Sequence, residues 1–511
     1  MKIKNIIRLV IVTVGLSITI SSCSDWLGVD MEDAIMEDKL YETNEGFLSS
    51  LNGIYTSMNE TYASTLGMGV VDVMAQYYNV SQNSSHNFYV YANYEFGEKV
   101  FESMSGGVWT NLYSLIANLN SLLEHCDKAG SALHPTYYPI VKGEALALRA
   151  MLHFDLLRLY GPIYTSATES NSTIPYQETT SKEIQPLLPA KEVLDKVIRD
   201  LTVASDLLKE DPIRTEGVMD SDSENPNEDS KLRYRQYRLN YYAVQALLAR
   251  AYQWKGAREE AYKIASDLIK ENKEKEVFPW TSKANAQASS NPDRLFSTEV
   301  MFGLYNISRV NLYDRHFKES ASISNSLTFV GDDFIDDYGK FPYFYTDDND
   351  VRRGTNMWSV EELEETDQYG NTTTQKAICL KKYAAIASTK PFRYMIPLIR
   401  MSEIYMIAAE CSNNLTEAIG YINELRKNRN CMDLELKDSD TEEEVQEYIT
   451  AEFAREVIGE GQLYFYYKRH AMTEVMSGTS FYSWSTTASM DLGYYVWPLP
   501  KVETDKRITS N

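Results

Sequence analysis

The sequence predicts a mostly α-helical protein with long irregular loops and a few short strands. Apolar residues recur at the three- and four-residue spacing of an amphipathic helix in segments 108–123, 142–160 and 193–208. Gly161 and Pro162 end the second of these helices, because neither residue continues a helix easily. The helical periodicity therefore dominates the first half of the chain.

Helix pairs of the tetratricopeptide type are a second pattern. Segment 239–270 places Ala249 and Ala261 on either side of Gly256, at the spacing of such a pair. Small residues let two helices approach closely, and the glycine permits the tight turn between them. A looser match lies at 404–426. Because repeated pairs stack side by side, the sequence predicts a tetratricopeptide-like helix-pair scaffold.

Two long stretches have weak periodicity and are rich in Tyr, Asn, Ser, Asp and Gly. They are about 58–102 and 278–395, and within the second a short strand is predicted at 299–305. Irregular segments of this length in a compact protein are usually functional or disordered, and the aromatic content argues against disorder. We therefore expect them to form an irregular ligand-binding face. The helical scaffold is assigned to about 40–57, 103–270 and 396–470.

The first residues are typical of a secretory signal. A basic start at 1–8 precedes an apolar run at 9–20, which is too short to span a membrane as a mature helix. Two serines then precede Cys23, as in the bacterial lipobox, where the thiol is acylated after cleavage. The alternative is an ordinary signal peptide with a chance cysteine. We expect a signal peptide at 1–22 and one mature domain at 23–511, held at the membrane by its lipid anchor only, since no second apolar run approaches the roughly 20 residues of a spanning helix.

Composition and motifs exclude several classes of function. The net charge of -23 argues against nucleic acid as a partner. No dinucleotide-binding, phosphate-binding or metalloprotease motif is present, the cysteines have no C-x-x-C spacing, and no two His residues stand at metal-ligand spacing. Segment 347–350 resembles a calcium loop only faintly, because the glycine and distal glutamate of an EF-hand are absent. We expect no cofactor, no metal and no catalytic residue.

Several strings, in order along nearly the whole chain, are similar to hallmark motifs of the SusD/RagB family of outer-membrane nutrient-binding lipoproteins. The phenylalanine and two tyrosines at 465–467 depart from the family pattern, which has Asp-Leu there. Each string alone is a weak signal, but the ordered set is specific. The matching strings are 109–123, 142–162, 297–302, 350–353, 399–410, 455–461 and 497–500.

The resemblance implies a helical scaffold packed against a SusC-type TonB-dependent transporter in the cell outer membrane, facing the exterior. It implies that the irregular face captures oligosaccharides and that the protein is not an enzyme. Two alternatives stay open: a RagB-like protein that takes up peptides or proteins and, less favoured, a surface enzyme that degrades polysaccharides. Motif residues such as Glu144, Arg149, Arg400 and Glu403 are interpreted as buried polar ties between helices.

Sugar rings pack their apolar C–H faces on aromatic rings, while their hydroxyls need polar partners. Two segments combine both residue types, 72–94 and 305–317, and the resemblance places ligand loops in comparable positions. For Tyr89 and Tyr91 the alternative is an ordinary half-buried strand, and Trp280 and Trp358 are further candidates. The predicted glycan-binding residues are Asp72, Tyr77, Tyr78, Asn79, Tyr89, Tyr91, Tyr94, Arg309 and Tyr313.

Overall fold

A computed structural model of the chain describes residues 37–128, 130–218, 229–318, 322–336, 338–366, 369–387, 389–437, 439–479 and 486–509. The predicted signal peptide and the predicted acylation site, Cys23, lie outside these residues. Within them, no helix is long and apolar enough to cross a membrane.

Helices make up most of the regular structure, which confirms the predicted fold class. In chain order, the α-helices described below are α1 Asn44–Tyr62, α2 Val70–Met74, α3 Tyr89–Ala92, α4 Lys99–Asp127, α5 Tyr138–Tyr160, α6 Ala190–Leu207, α7 Ile213–Glu216, α8 Tyr241–Lys255, α9 Arg258–Lys275, α10 Lys283–Ala286, α11 Arg309–His316, α12 Phe341–Phe344, α13 Met401–Cys411, α14 Leu415–Asn428, α15 Glu442–Glu456, α16 Leu463–Arg469 and α17 Lys501–Thr509.

The long helices form one continuous row in which each helix packs on the next. The row runs α1, α4, α5, α6, α8, α9, α13, α14 and α15. Helix α5 lies inside it and is buried on every side from Val141 to Tyr160, apart from the half-buried Lys142. Its polar residues are therefore paired: Glu144 accepts hydrogen bonds from Tyr55 and Arg235, and Arg149 binds Asp200. The polar ties predicted for Glu144 and Arg149 are confirmed.

The predicted tetratricopeptide-like pair is α8 and α9. The side chain of Asn240 caps the start of α8 by accepting a hydrogen bond from the backbone N–H of Ala243 at 3.0 Å. Gly256 ends the helix with φ of 78°, a left-handed conformation that a side chain would strain. Ala249 and Ala261 are both buried where the two helices meet. Helices α13 and α14 form the second pair at the looser match.

Strands are few and mostly short. They are β1 Ser172–Ile174, β2 Leu188–Pro189, β3 Val300–Tyr305, β4 Thr328–Phe329, β5 Trp358–Thr366, β6 Thr372–Leu380, β7 Met395–Arg400, β8 Glu474–Met476 and β9 Thr487–Ser489. The pairs β1–β2, β3–β7 and β8–β9 are antiparallel two-stranded ribbons, and β4, β6 and β5 form a three-stranded sheet in that order. The strand predicted at 299–305 is confirmed as β3.

The stretch expected to be irregular at 278–395 contains more regular structure than predicted. Strands β5 and β6 form a hairpin of nine paired residues, from Trp358 opposite Leu380 to Thr366 opposite Thr372. Its base packs into the main core through the buried Trp358, Ile378 and Leu380, and a small separate cluster forms around Leu363. Most of the other side chains that the structure describes in the hairpin are half or fully exposed. A strand that is exposed along one half and buried on both faces along the other has no clear alternation of apolar and polar residues, which is why periodicity did not reveal the hairpin.

A network of buried ion pairs joins the C-terminal helices to the strands. Glu456, at the end of α15, accepts hydrogen bonds from Arg352, Arg400 and Arg429, and all four side chains are almost completely inaccessible to solvent. Arg429 also binds Glu299 at 2.6 Å. Burial alone would raise the pKa of Glu456, but the arginines around it outweigh burial and hold that pKa well below its usual value.

We expect Glu456→Gln to lower the free energy of unfolding by about 3–5 kcal/mol, because it removes one charge from a buried network and leaves the arginines undercompensated. Because the pKa of Glu456 is lowered in the folded state, its contribution is present at neutral pH and is lost as pH falls through that lowered pKa. Urea denaturation at pH 7 measures the change. Glu442→Gln, which breaks a surface pair with Arg258, is the control and should have little effect. An equal effect of the two substitutions would contradict the assignment.

Candidate functional site

Tyr77 and Tyr78, which the sequence predicts in an exposed aromatic platform, lie inside the protein. Only 1% of Tyr77 and 2% of Tyr78 is exposed to solvent. The Tyr77 hydroxyl donates a hydrogen bond to the carbonyl of Ala454 at 2.6 Å, and the backbone of Tyr77 accepts one from Lys340. The expected exposed position is therefore wrong for both rings, because each fills space between segments of the core.

Asp72 is fully buried and holds two distant parts of the chain together. Its carboxylate accepts hydrogen bonds from the backbone N–H groups of Gly459 at 2.6 Å and Gly461 at 2.9 Å. A side chain at Gly461 would collide with the carbonyl of Leu66, so a glycine is required at this close approach. Burial raises the pKa of Asp72 to about 8. Its contacts are structural ones, in contrast to the predicted contact with a glycan.

The rest of the first predicted segment is also mostly inward-facing. Tyr94 stacks on Tyr494 with ring centroids 4.3 Å apart, and its hydroxyl donates to the carbonyl of Met74. Tyr91 is buried on the short helix α3, where the half-buried Tyr89 is the first residue, so the alternative of a strand here is wrong too. Asn79 is half-buried and pairs through its backbone with Thr328. Aromatic enrichment in this segment thus reflects core packing more than an exposed platform.

Arg309 is buried and binds protein backbone. Its guanidinium donates to the carbonyls of Phe392, Met395 and Ala384 at 3.1, 3.2 and 3.3 Å. Burial lowers the pKa of Arg309 to about 10. Arg309 is predicted to contact a ligand directly, but its guanidinium positions protein backbone instead. The three carbonyls belong to the segment that precedes and begins β7. Tyr313, also predicted, is 8% exposed and packs beside Phe317.

The tryptophans named as further candidates are not free on the surface either. Trp358 is completely buried and donates its ring N–H to the carbonyl of Arg352 at 3.0 Å. Trp280 is half-buried and contacts Tyr405 with ring centroids 5.0 Å apart.

A cleft of about 1270 Å³ lies at the end of the β3–β7 ribbon. Its walls come from the second half of α1, the segments 230–238 and 276–298, the end of β3, and 390–395. The lining mixes tyrosines with amides and cations, which is the composition expected of a site for a flat polar ligand. The tyrosines and amides in the lining are Asn52, Tyr55, Tyr234, Gln236, Tyr237, Asn285, Asn291, Tyr305 and Tyr394.

Tyr305 is the central exposed ring of the cleft. It is the last residue of β3, and 53% of it is accessible to solvent. Its ring meets Tyr237 edge-on at 5.6 Å and Tyr394 at 5.2 Å. The register of the ribbon explains this arrangement: Tyr305 pairs with Met395, so Tyr394 lies beside it at the same end. Tyr234 adds another ring that is 43% exposed.

Hydrogen bonds between separate segments hold the rim of the cleft in place. The Tyr237 hydroxyl donates to the carbonyl of Pro391 at 3.1 Å. The side-chain oxygen of Asn291 accepts from the backbone N–H of Ala387 at 2.8 Å. Asn59 donates to the carbonyl of Tyr305, so α1 is tied to the end of β3. The cleft is therefore built from segments that are fixed relative to one another.

Backbone strain is concentrated near the cleft. Tyr234, Glu276 and Asn291 line it and have φ of 55°, 50° and 52°, although none is glycine. Phe296, with φ of 54°, is next to the lining residue Ser297. Left-handed conformations cost non-glycine residues of order 1–3 kcal/mol and cluster at binding sites. Four of the eight non-glycine residues with positive φ in the described part of the chain are thus at or next to the cleft.

Comparisons with known proteins agree with this architecture. Residues 25–218 match a family model described as "Starch-binding associating with outer membrane". Residues 215–507, more than half of the chain, match the model of the SusD family. The chain belongs to the SusD family. This match confirms the resemblance to the SusD/RagB family that the ordered motifs indicate.

Relatives of known structure share the fold of this SusD-family chain. A SusD superfamily protein from Bacteroides thetaiotaomicron superposes with a TM-score of 0.66 at 20% identity, over 91% of this chain and 98% of that one. A putative sugar binding protein from Bacteroides vulgatus gives 0.64 at 22% identity, over 91% and 96%. A SusD-like protein of Formosa agariphila is 27% identical over 205 residues, which is 40% of this chain but only 37% of that protein's own length.

The cleft residues outside 305–317 were missed by sequence reasoning, yet a local signal for some of them exists. Segment 233–238 contains three arginines and two tyrosines, and Arg393 directly precedes Tyr394. Tyrosine next to arginine offers a flat apolar face and a hydrogen-bond fork together, which is a combination typical of recognition surfaces. Tyr305 lies within the predicted segment 305–317, but the two residues chosen from that segment are both buried.

The structure separates core tyrosines from cleft tyrosines, and unfolding experiments can test the separation. We expect Tyr77→Ala to lower the free energy of unfolding by about 3–5 kcal/mol, as for other large buried rings. Tyr305→Ala should change it little, because more than half of the residue is exposed. Tyr77→Phe keeps the ring and should lose only about 1 kcal/mol for the hydroxyl. Equal destabilisation by Tyr77→Ala and Tyr305→Ala would contradict the assignment of Tyr305 to an open site.

Proposed function

We propose that the protein is a lipid-anchored glycan-binding protein of the bacterial outer membrane and that its binding site is the cleft around Tyr305. The observation that carries the proposal is the exposed ring of Tyr305 between Tyr237 and Tyr394, in a concave site lined with amides and arginines. The family description names starch binding, and one protein of similar structure is described as a putative sugar binding protein.

Binding would use two kinds of contact. The apolar face of a pyranose packs on the exposed part of Tyr305, while its hydroxyls exchange hydrogen bonds with the amides of Asn52 and Asn285. The rings of Tyr394 and Tyr237, which touch Tyr305 with centroids 5.2 and 5.6 Å away, extend the aromatic surface beyond one sugar unit. A cleft of about 1270 Å³ fits an oligosaccharide better than a monosaccharide.

Capture without cleavage is part of the proposal. Glycoside hydrolysis usually needs two carboxyl groups that flank the scissile bond. Of the two acidic residues that line the cleft, Asp293 is buried, and its carboxylate accepts hydrogen bonds from Ser297 and Leu295. Glu276 alone does not provide the pair. The enzyme alternative therefore has no support from the described part of the cleft.

The partner and the location are proposed on family grounds. A SusC-type TonB-dependent transporter would take over the captured oligosaccharide, and the row of helices offers a broad surface to dock on such a barrel. Acylation at Cys23 would hold the protein at the outer membrane. The peptide-binding alternative shares this arrangement and differs only in the ligand.

A glycan array followed by calorimetric titration of a bound oligosaccharide tests the cleft. We expect Tyr305→Ala to weaken binding about tenfold to a hundredfold, because truncation removes the apolar surface on which the sugar packs. Tyr369→Ala is the matched control, since Tyr369 is exposed but does not line the cleft. Unchanged affinity in the Tyr305 variant would refute the assignment, and binding of peptides in place of glycans would favour the alternative.

Acylation is tested separately. We expect Cys23→Ala to release the protein from membranes, and mass spectrometry of the wild-type protein to show a mature chain that begins with an acylated Cys23. Cys126→Ala is the control, because that cysteine is buried and should not affect anchoring. A wild-type chain whose mature form begins elsewhere would contradict the prediction.

A further inference from the structure

The charge of the cleft is opposite to the charge of the protein. The chain carries a net charge of -23, yet among the residues that the structure describes cations outnumber acids in the cleft lining. The charged residues of the lining are Lys231, Arg233, Arg238, Glu276, Asp293, Lys390 and Arg393. A concave site with one sign of charge focuses the electrostatic field on whatever enters it. A ligand that enters the cleft would therefore encounter this excess of cations.

Several of these cations have no acidic partner among the residues that the structure describes. Lys231 is paired with Glu45 at 2.5 Å, whereas Arg238, Lys390 and Arg393 form no ion pair with any carboxylate of the described residues. Arg238 donates through Nη2 to the side chain of Asn52, and its Nη1 is buried without a hydrogen-bond acceptor. No carboxylate of the described residues therefore neutralises the positive charge of these three side chains.

The acids in the lining offset this charge only weakly. Asp293 accepts four hydrogen bonds, from the backbone and hydroxyl of Ser297 and the backbone of Leu295. Burial raises the pKa of Asp293 above its usual value, and the hydrogen bonds to its carboxylate oppose that shift. Glu276 is exposed to solvent, where its field is screened.

The two arginines are placed beside the rings on which a sugar would lie. Arg238 follows Tyr237 in the chain, and Arg393 precedes Tyr394, and both of these rings contact Tyr305. The guanidinium of Arg393 lies over the Tyr394 ring at 4.8 Å, and that of Arg238 lies over Tyr55 at 4.7 Å. Stacking on a ring fixes the plane of each guanidinium and leaves its donors directed sideways.

We infer that the cleft takes an acidic glycan, one whose sugar units carry carboxylate or sulfate groups; this inference rests on the proposed function. Tyr305 alone would pack equally well on neutral and acidic sugars. A guanidinium instead favours a planar or tetrahedral oxyanion, to which it donates two parallel hydrogen bonds. A protein of strongly negative charge repels an acidic polymer elsewhere on its surface, so such a ligand is directed to the cleft.

Paired oligosaccharides that differ only in charge test the inference. The probes are an oligogalacturonate and its methyl-esterified form, and a sulfated galactan oligosaccharide and its desulfated form. We expect at least one acidic probe to bind about tenfold or more tightly than its neutral counterpart, and its affinity to fall between 50 and 500 mM NaCl, because salt screens the charges. The pair that shows the difference identifies carboxylate or sulfate as the recognised group.

Variants separate the charge from the aromatic platform. Arg238→Gln and Arg393→Gln should each weaken the acidic probe about tenfold to a hundredfold and leave a neutral probe nearly unchanged. Arg393→Lys, which keeps the charge and loses the planar fork, should give an intermediate affinity. Tyr305→Ala should weaken both probes. Lys263→Gln, an exposed charge on α9, is the control, and thermal melting of each variant reports any loss of folding.

The outcomes are distinct. Equal binding of charged and neutral members of both pairs, or unchanged acidic binding in the arginine variants, would overturn the acidic-glycan inference and leave the proposed function standing. Binding of no glycan of either kind would count against the proposed function as well.

Discussion

The buried ion network around Glu456 is the constraint on which the rest of the structure depends. Glu456, Arg400, Arg429 and Glu299 come from α15, the end of β7, the residue after α14 and the residue before β3, respectively. A buried charge without a partner is strongly unfavourable. Each element is therefore stable in its position only when the elements that carry the partner charges are also in place. The network therefore specifies how helices and strands meet, beyond what apolar packing demands.

Its position also explains how the scaffold supports the cleft. Arg400 pairs with Val300 at one end of the β3–β7 ribbon, beside the network, and Tyr305 pairs with Met395 at the other end. The ribbon thus connects a rigidly fixed charge cluster to the open site along six residues of β3. Between these two ends, the side-chain amide of Asn240 donates a hydrogen bond to the carbonyl of Met301, which fixes the ribbon to the start of α8.

The helical scaffold could be predicted because its signals are local. Amphipathic periodicity, Gly256 and the run of alanines are visible within a few turns of sequence, and the family motifs coincide with residues that pair inside the core. The binding site could not be predicted in the same way, since α1, segment 230–238 and segment 390–395 meet only in three dimensions. Tyr77 and Tyr305 look alike in sequence, and only packing shows that the first is enclosed and the second is open.

Arg309 illustrates the same limit. An arginine in a tyrosine-rich loop is a reasonable candidate for a ligand contact, but its guanidinium is occupied by three backbone carbonyls. No local pattern distinguishes an arginine that binds a sugar from one that binds its own backbone. What distinguishes the two cases is the segment that the guanidinium contacts, 384–395, which is distant from Arg309 in sequence.

The cross-linked rim has a consequence for the thermodynamics and kinetics of capture. Because Tyr237, Asn291 and Arg309 already fix the segments around the opening, little conformational entropy is left to lose when a ligand arrives, and loop ordering takes little from the affinity. Encounter then needs no slow rearrangement, so association should be similar for ligands of similar size and charge. Differences in affinity between related glycans would then come chiefly from differences in their dissociation rates.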